Sequence, residues 1–168
     1  MEPEARSWRM EDVAPHPLAE LLECPPEIGT LLSSSTRCID FEDGQTVFRQ
    51  AETCKGLYVV ISGALLRRTE RLNTRLTLAP VRPGNLVELA AALGNGEHTY
   101  TLSAQTSGSL LLLPIEALNR AFESYPRLRM QLLEELAREV SRGYITSCLS
   151  RKAIERHRGS AAALEQES

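Results

Sequence analysis

The chain has 168 residues, a net charge of −3, 42% hydrophobic residues and 24% charged residues, which are ordinary values for one globular domain. Its length allows a hydrophobic core large enough to fold without disulfides or a metal. The negative net charge argues against broad electrostatic adhesion to nucleic acid. The N-terminus has no apolar signal segment, and the longest apolar run, near residues 109–118, is too short to span a bilayer.

The four cysteines are Cys24, Cys38, Cys54 and Cys148. They form no C-x-x-C pair, and their spacing matches no rule for zinc or iron–sulfur ligands. We therefore expect free thiols in a reducing cytoplasm, with neither a metal site nor a cofactor.

The N-terminal half begins with residues 1–16, which we expect to form a disordered arm. Residues 17–36 predict two short helices that are broken at Pro25-Pro26. In each helix, leucine and isoleucine recur on one face, which favours packing against a core.

From Cys38 onwards, apolar residues tend to occupy every second position, as in a β-strand, instead of recurring with helical spacing. Turn signals at residues 43–44, 83–84 and 107–108 divide the region into seven or eight short strands, and Gly63 predicts a bend or bulge. This pattern predicts a closed β-roll over about residues 38–113. Helices are expected over 114–150, the last of them long, so that 17–150 form one domain, and residues 151–168 form a basic helix end and a disordered tail.

The order of these elements resembles the cyclic-nucleotide-binding domain of the catabolite-activator (Crp/Fnr) family. The resemblance implies a mainly β fold with flanking helices: a β-roll, or double-stranded β-helix (jelly roll), between N-terminal helices and a long C-terminal helix. It is carried by the following residues: Gly44, Val47, Phe48, Gly56, Leu57, Tyr58, Val60, Ser62, Gly63, Pro83, Gly84, Glu88, Leu89, Ala90, Thr101 and Ala104.

Residues 83–104 correspond to the family's phosphate-binding cassette. There, Phe-Gly-Glu opens a short helix and an Arg opens the next strand; the acid takes the ribose 2′-hydroxyl and the Arg pairs with the cyclic phosphate. In this chain Leu86 and Val87 replace Phe and Gly, whereas Glu88 is kept. Alignment on "TLSA" places His98, preceded by Glu97, where the Arg would be. The resemblance therefore implies a pocket that lacks its cation.

The candidate ligand-binding residues are Leu86, Val87, Glu88, Leu89, Ala90, His98 and Thr99. Glu88 and His98 could line a pocket for a neutral or cationic ligand. Alternatively, Glu88 only caps or charges the start of the helix over 89–93, and His98 lies on a loop in water. Arg82, on the adjacent turn, is the candidate replacement cation. No nucleophile elbow or metal cluster accompanies these residues, so we expect no enzyme.

The long C-terminal helix has two apolar stripes. One is a heptad seam formed by Met130, Leu133, Ala137, Val140 and Tyr144. The other contains Leu128, Leu132 and Leu136 and can pack on the β-roll; both stripes could also fold onto one core. Because the family dimerises through this helix, the resemblance implies a homodimer. Only 18 residues follow Ser150, too few for a helix-turn-helix domain, so direct DNA binding is not expected.

Together these features predict a stand-alone regulatory sensor or interaction module with a degenerate nucleotide pocket, acting through a protein partner or a non-nucleotide ligand. One alternative is a cyclic AMP or cyclic GMP receptor with a replacement cation. Another is a transcription regulator that uses the DNA-binding part of another chain.

Overall fold

The computed structural model of the protein describes residues 15–71, 74–143 and 156. The chain divides into two compact units, Met1–Leu132 and Leu133–Ser168, and each is described by itself. The predicted N-terminal arm up to residue 14, Tyr144 of the predicted seam and almost all of the predicted tail lie outside the described residues.

Two short N-terminal helices, α1 (Pro15–Leu21) and α2 (Pro26–Ser33), pack against each other. The predicted break at Pro25-Pro26 is confirmed, and α1 begins two residues earlier than predicted. Pro26 lies in the first turn of α2, where a missing N–H does no harm. The faces turned to the core carry the predicted apolar residues, among them Leu18, Leu22, Ile28 and Leu32.

Eight named strands follow within the described residues, and they confirm the predicted mainly β fold. They are β1 (Arg37–Phe41), β2 (Thr46–Phe48), β3 (Gly56–Ser62), β4 (Leu65–Arg71), β5 (Thr74–Thr77), β6 (Leu86–Val87), β7 (Thr101–Ala104) and β8 (Gly108–Pro114). The short helix α3 (Leu89–Leu93) interrupts them after β6.

The strands form two antiparallel four-stranded sheets, ordered β1-β8-β3-β6 and β2-β7-β4-β5. A buried apolar cluster draws on both sheets, including Tyr58 and Leu110 from the first and Phe48 and Leu102 from the second. In β3 and β8 alternate side chains, such as Tyr58 and Val60 or Leu110 and Leu112, belong to this cluster, as the pleat of a strand requires.

The outer face of β3 and β8 is covered by helix α4 (Ile115–Ser124). Leu118 and Ala121 of α4 are fully buried, as is Leu128 in the helix that follows over residues 126–143, named α5. Double-sided burial explains why β3 and β8 are continuous apolar runs rather than alternating ones. No helix in the described part of the chain is long and apolar enough to cross a membrane.

Two glycines bring the ends of β3 and β8 into close contact. Gly63 has a φ of +84°, which confirms the predicted bend after β3. At Gly108 a Cβ atom would collide with the carbonyl oxygen of Ser62 and would lie 2.8 Å from the Cα of Gly63. The two strands can therefore approach this closely only without a side chain at position 108.

We expect Gly108→Ala to lower the free energy of unfolding by about 1–3 kcal/mol, because the two backbones must separate to admit the methyl group. Urea denaturation measures this change. The matched control is Gly143→Ala on α5, where no described atom outside the neighbouring helix backbone lies within 4 Å of the added Cβ and alanine favours the helix. An unchanged denaturation midpoint for Gly108→Ala would contradict the close approach.

Candidate functional site

Glu88 lies between β6 and α3 in a strained, buried position. Its φ of 71° and ψ of 34° are left-handed values, which cost a residue with a side chain roughly 1–2 kcal/mol. Glu88 occupies the N-cap position of α3, but its side chain makes no capping hydrogen bond. It is only 2% exposed and turns into the protein instead. Strain of this kind persists only where surrounding contacts hold it.

The Glu88 carboxylate is held by the residue next to His98. The Thr99 hydroxyl donates to Oε1 at 3.0 Å, and the Thr99 backbone N–H lies 3.2 Å from Oε2 and 3.4 Å from Oε1. The backbone N–H of Glu88 donates to the Tyr100 hydroxyl oxygen at 3.0 Å. Both the side chain and the backbone of Glu88 are thus fixed by the segment that leads into β7.

His98 is buried as well, with 4% of its surface exposed, so the alternative that placed it on a loop in water is wrong. Its ring stacks on Phe48, with centroids 3.6 Å apart and planes 8° from parallel. Its backbone N–H donates to Glu52 O, and its carbonyl accepts from Ala51 N. These bonds and the stacking hold the segment after the Gly94–Gly96 loop against the end of β2.

The side chains of Glu88 and His98 meet in this core. Nδ1 of His98 lies 3.4 Å from Oε2 of Glu88. Burial opposes protonation of the imidazole, but contacts with Cys54 and Glu88 outweigh it and raise the pKa of His98 to about 9. His98 therefore carries a proton at neutral pH, and Glu88, not a ligand, faces its charge.

Cys54 completes the cluster, although sequence reasoning assigned it no role. It lies between β2 and β3, is buried, and its thiol donates to the carbonyl oxygen of Gly56 at 3.0 Å. One potential ligand atom each from Cys54, Glu88 and His98 lies within 4.8 Å of the others. No local motif marks Cys54, because its neighbours in the cluster are distant in the sequence.

The other predicted cassette residues have mostly structural positions. Val87 is fully buried and pairs with Tyr58, and Leu89 is buried; Leu86 and Ala90 are half-buried. Of the predicted set, the structure brings together Glu88, His98 and Thr99. Arg82 lies on the exposed turn, where its backbone exchanges hydrogen bonds with Asn85.

The predicted seam of α5 is largely accessible in the single chain. Met130 is 57% exposed and Val140 is 62% exposed. Ala137 is also exposed and Leu133 is half-buried. Leu128 and Leu132 of the second stripe are buried, as predicted, whereas Leu136 is half-buried.

The raised pKa of His98 predicts a titration midpoint near pH 9 instead of 6.5 in its imidazole NMR signals. The protein has three histidines, so loss of signals in His98→Gln assigns them. Because the folded pKa exceeds the unfolded one, the stabilisation is complete below pH 6.5 and is lost as pH rises through about 9. The stability difference between wild type and His98→Gln should shrink over that window; a midpoint at or below 6.5 would contradict the buried pair.

Comparison with known proteins identifies the family. The family model for the cyclic nucleotide-binding domain matches residues 38–125, which is more than half of the chain. The catabolite activator protein of Thermus thermophilus is 26% identical with a TM-score of 0.64, over 74% of this chain and 59% of that one. The N-terminal domain of a transcriptional regulator from Streptomyces coelicolor A3(2) is 28% identical with a TM-score of 0.56, over 78% of this chain and 92% of that one.

A curated relative, the lysophospholipase NTE1 of Eremothecium gossypii, is 32% identical over 100 residues, which are 58% of this chain and 7% of that protein. The chain thus spans a small part of the lysophospholipase and 59% of the Thermus activator, and the likeness concerns the shared domain. The family model and the two antiparallel sheets agree. The chain belongs to the cyclic nucleotide-binding domain family, and its fold is of the Crp/Fnr type.

Proposed function

We propose that this protein is a regulatory sensor module whose nucleotide pocket is degenerate and which responds to a non-nucleotide ligand or to a protein partner. Membership of a family of regulatory binding domains supports the first part. The buried contact between Glu88 and His98 carries the second part, because it engages both polar cassette positions within the protein.

The acid of the cassette is already occupied. A carboxylate that binds a ribose hydroxyl must offer an accessible oxygen, but both oxygens of Glu88 are engaged by Thr99, and Oε2 also faces His98. Withdrawing Glu88 toward a ligand would leave the charge of His98 buried without its partner. Loss of one partner of a buried ion pair costs roughly 3–5 kcal/mol.

The positive charge of His98 is also directed away from the place where a phosphate would bind. His98 is stacked on Phe48 and directed at Glu88, whereas the neighbouring Glu97 is exposed and would repel an anion. Leaving a phosphate without its charged partner costs roughly 2–5 kcal/mol, which is about 30-fold to several-thousand-fold in affinity. Val87 fills the core where the family's glycine leaves room for a close backbone approach.

Binding, not catalysis, is the activity we infer. Cys54 and His98 are residue types that form nucleophile–base pairs, yet they are 6% and 4% exposed, respectively. The Cys54 thiol donates to the carbonyl oxygen of Gly56. A substrate carbonyl or phosphorus atom has no approach to that sulfur without unpacking the core.

Cyclic AMP and cyclic GMP at 1 mM should raise the melting temperature by less than about 2 °C. A receptor of 10 μM Kd would gain about 2.7 kcal/mol at 100 times its Kd, and each kcal/mol shifts a domain of this size by roughly 2–8 °C. Differential scanning fluorimetry measures both ligands. A shift of several degrees would instead favour the receptor with a replacement cation, and Arg82→Gln then tests whether Arg82 supplies it.

Reintroducing the family's Arg and Gly tests whether the cassette has been assigned to the right residues. His98→Arg combined with Val87→Gly returns the two missing groups, so it should bind cyclic AMP more tightly than wild type if the assignment is right. Val87→Gly alone is the control for the cavity, and circular dichroism checks the fold. Folded double-variant protein with no gain in affinity would show that the cassette alignment is wrong.

The exposed seam of α5 supports a homodimer as the functional form. We expect wild type to be dimeric by light scattering and Val140→Glu to be a folded monomer, because like charges would meet across a two-fold axis. Val140 is 62% exposed in the single chain, so the substitution itself should cost the monomer little. Ser141→Glu adds the same charge outside the predicted seam and should remain dimeric. Wild type that is monomeric at high concentration would contradict the proposal.

A further inference from the structure

Cys54, Glu88 and His98 come from three separate segments and converge on one point. Cys54 precedes β3, Glu88 follows β6 and His98 precedes β7. All three are buried, and their potential ligand atoms lie within 4.8 Å of one another. The degenerate pocket requires only that Glu88 and His98 engage each other, so it leaves the thiol at this point without a role.

The donor set matches a particular class of ligand. A thiolate sulfur, an imidazole nitrogen and a carboxylate oxygen are the three side-chain ligands of zinc, and sites with three protein ligands keep the fourth position open. Bond lengths of about 2.0–2.3 Å place the donors of a tetrahedral site about 3.3–3.8 Å apart. His98 Nδ1 and Glu88 Oε2 already lie 3.4 Å apart, and the full trio needs to contract by about 1 Å.

A second observation points to an external ligand. His98 Nδ1 is buried, and among the described residues no group makes a hydrogen bond of acceptable geometry with it. Oε2 of Glu88, 3.4 Å away, attracts this nitrogen without a well-aligned hydrogen bond, so the bonding capacity of Nδ1 is not fully used. Stacking on Phe48 constrains the plane of the imidazole ring, whose Nδ1 faces Glu88.

Supporting contacts around the trio resemble those that orient metal ligands. The carboxylate of Glu88 accepts from the Thr99 hydroxyl and N–H, and the backbone N–H of Glu88 donates to Tyr100. Outer contacts of this kind fix ligand orientation and typically change metal affinity 10–100-fold. Thr99, whose hydroxyl and N–H contact the Glu88 carboxylate, is itself exposed.

We propose that Cys54, Glu88 and His98 form a binding site for a divalent transition metal of the zinc class. This rests on the proposed function, because it uses cassette residues that no longer serve a nucleotide and names the metal as the non-nucleotide ligand. Binding forms one bond each to sulfur, nitrogen and oxygen. The thiol proton now donated to Gly56 O, and the proton on the coordinating imidazole nitrogen, are released to solvent.

The test titrates the full chain, without an affinity tag and after treatment with a chelator and a thiol-free reductant, with Zn²⁺ and separately with Co²⁺. We expect one ion per chain by mass spectrometry of dialysed protein and a rise of several degrees in melting temperature. Bound Co²⁺ should give tetrahedral visible bands and a sulfur-to-cobalt charge-transfer band. Absence of stoichiometric binding, or binding without the sulfur band, overturns the proposal.

Variants assign the site. Cys54→Ser, Glu88→Gln and His98→Gln should each weaken Zn²⁺ binding at least 10-fold. Cys38→Ser and Glu97→Gln are matched controls, because they alter a half-buried thiol outside the cluster and the exposed acid beside His98, and they should bind as wild type does. If Cys54→Ser does not fold, the sulfur-to-cobalt band of wild type decides alone. Equal weakening by Cys38→Ser would overturn the assignment.

Failure of the metal-site proposal can be distinguished from failure of the proposal that the nucleotide pocket is degenerate. Cyclic AMP binding is measured on the same preparation with and without Zn²⁺. Protein that binds neither ligand overturns the metal site and leaves the degenerate pocket standing. Protein that binds cyclic AMP tightly but no metal overturns both.

Discussion

The contact between Glu88 and His98 is the constraint on which the rest of the site depends. Two ionisable side chains lie in an apolar core, and each would be strongly unfavourable there alone. Their mutual attraction, reinforced by the Thr99 hydrogen bonds, makes burial of both tolerable. It also holds the left-handed backbone at Glu88, from which α3 begins, and binds the segment before β7 to the end of β6.

On the proposed assignment, the same contact directs the acid and cation positions of the cassette toward each other instead of toward a ligand. In the family the acid and the cation point at one ligand from two sides; here they point at each other, and Phe48 closes over the imidazole ring. A nucleotide would have to separate a stable pair before gaining any contact of its own. On the proposed function, a nucleotide therefore meets an energetic cost as well as a missing attraction.

Much of the fold could be predicted from local patterns, and the central part of the site could not. Alternation from Cys38, the glycine and proline turns and the break at Pro25-Pro26 each act over a few residues, and each is confirmed. Cys54 meets Glu88 and His98 only because β3, β6 and β7 bring distant segments together. The sequence left open whether His98 lines a pocket or lies on a loop in water, because its backbone bonds to residues 51–52 and its stacking on Phe48 are contacts without a local signature.

The arrangement also determines how a ligand at this point could act on the fold. Glu88 is the junction between β6 and α3, its backbone N–H donates to Tyr100, and the guanidinium of Arg67 on β4 lies 5.5 Å from the Tyr100 ring centroid. A ligand that draws Cys54, Glu88 and His98 together acts on both sheets at once, because β3 and β6 belong to one sheet and β7 to the other. Packed cores transmit small displacements instead of absorbing them. A site built from these three residues is therefore coupled to the relative position of the two sheets.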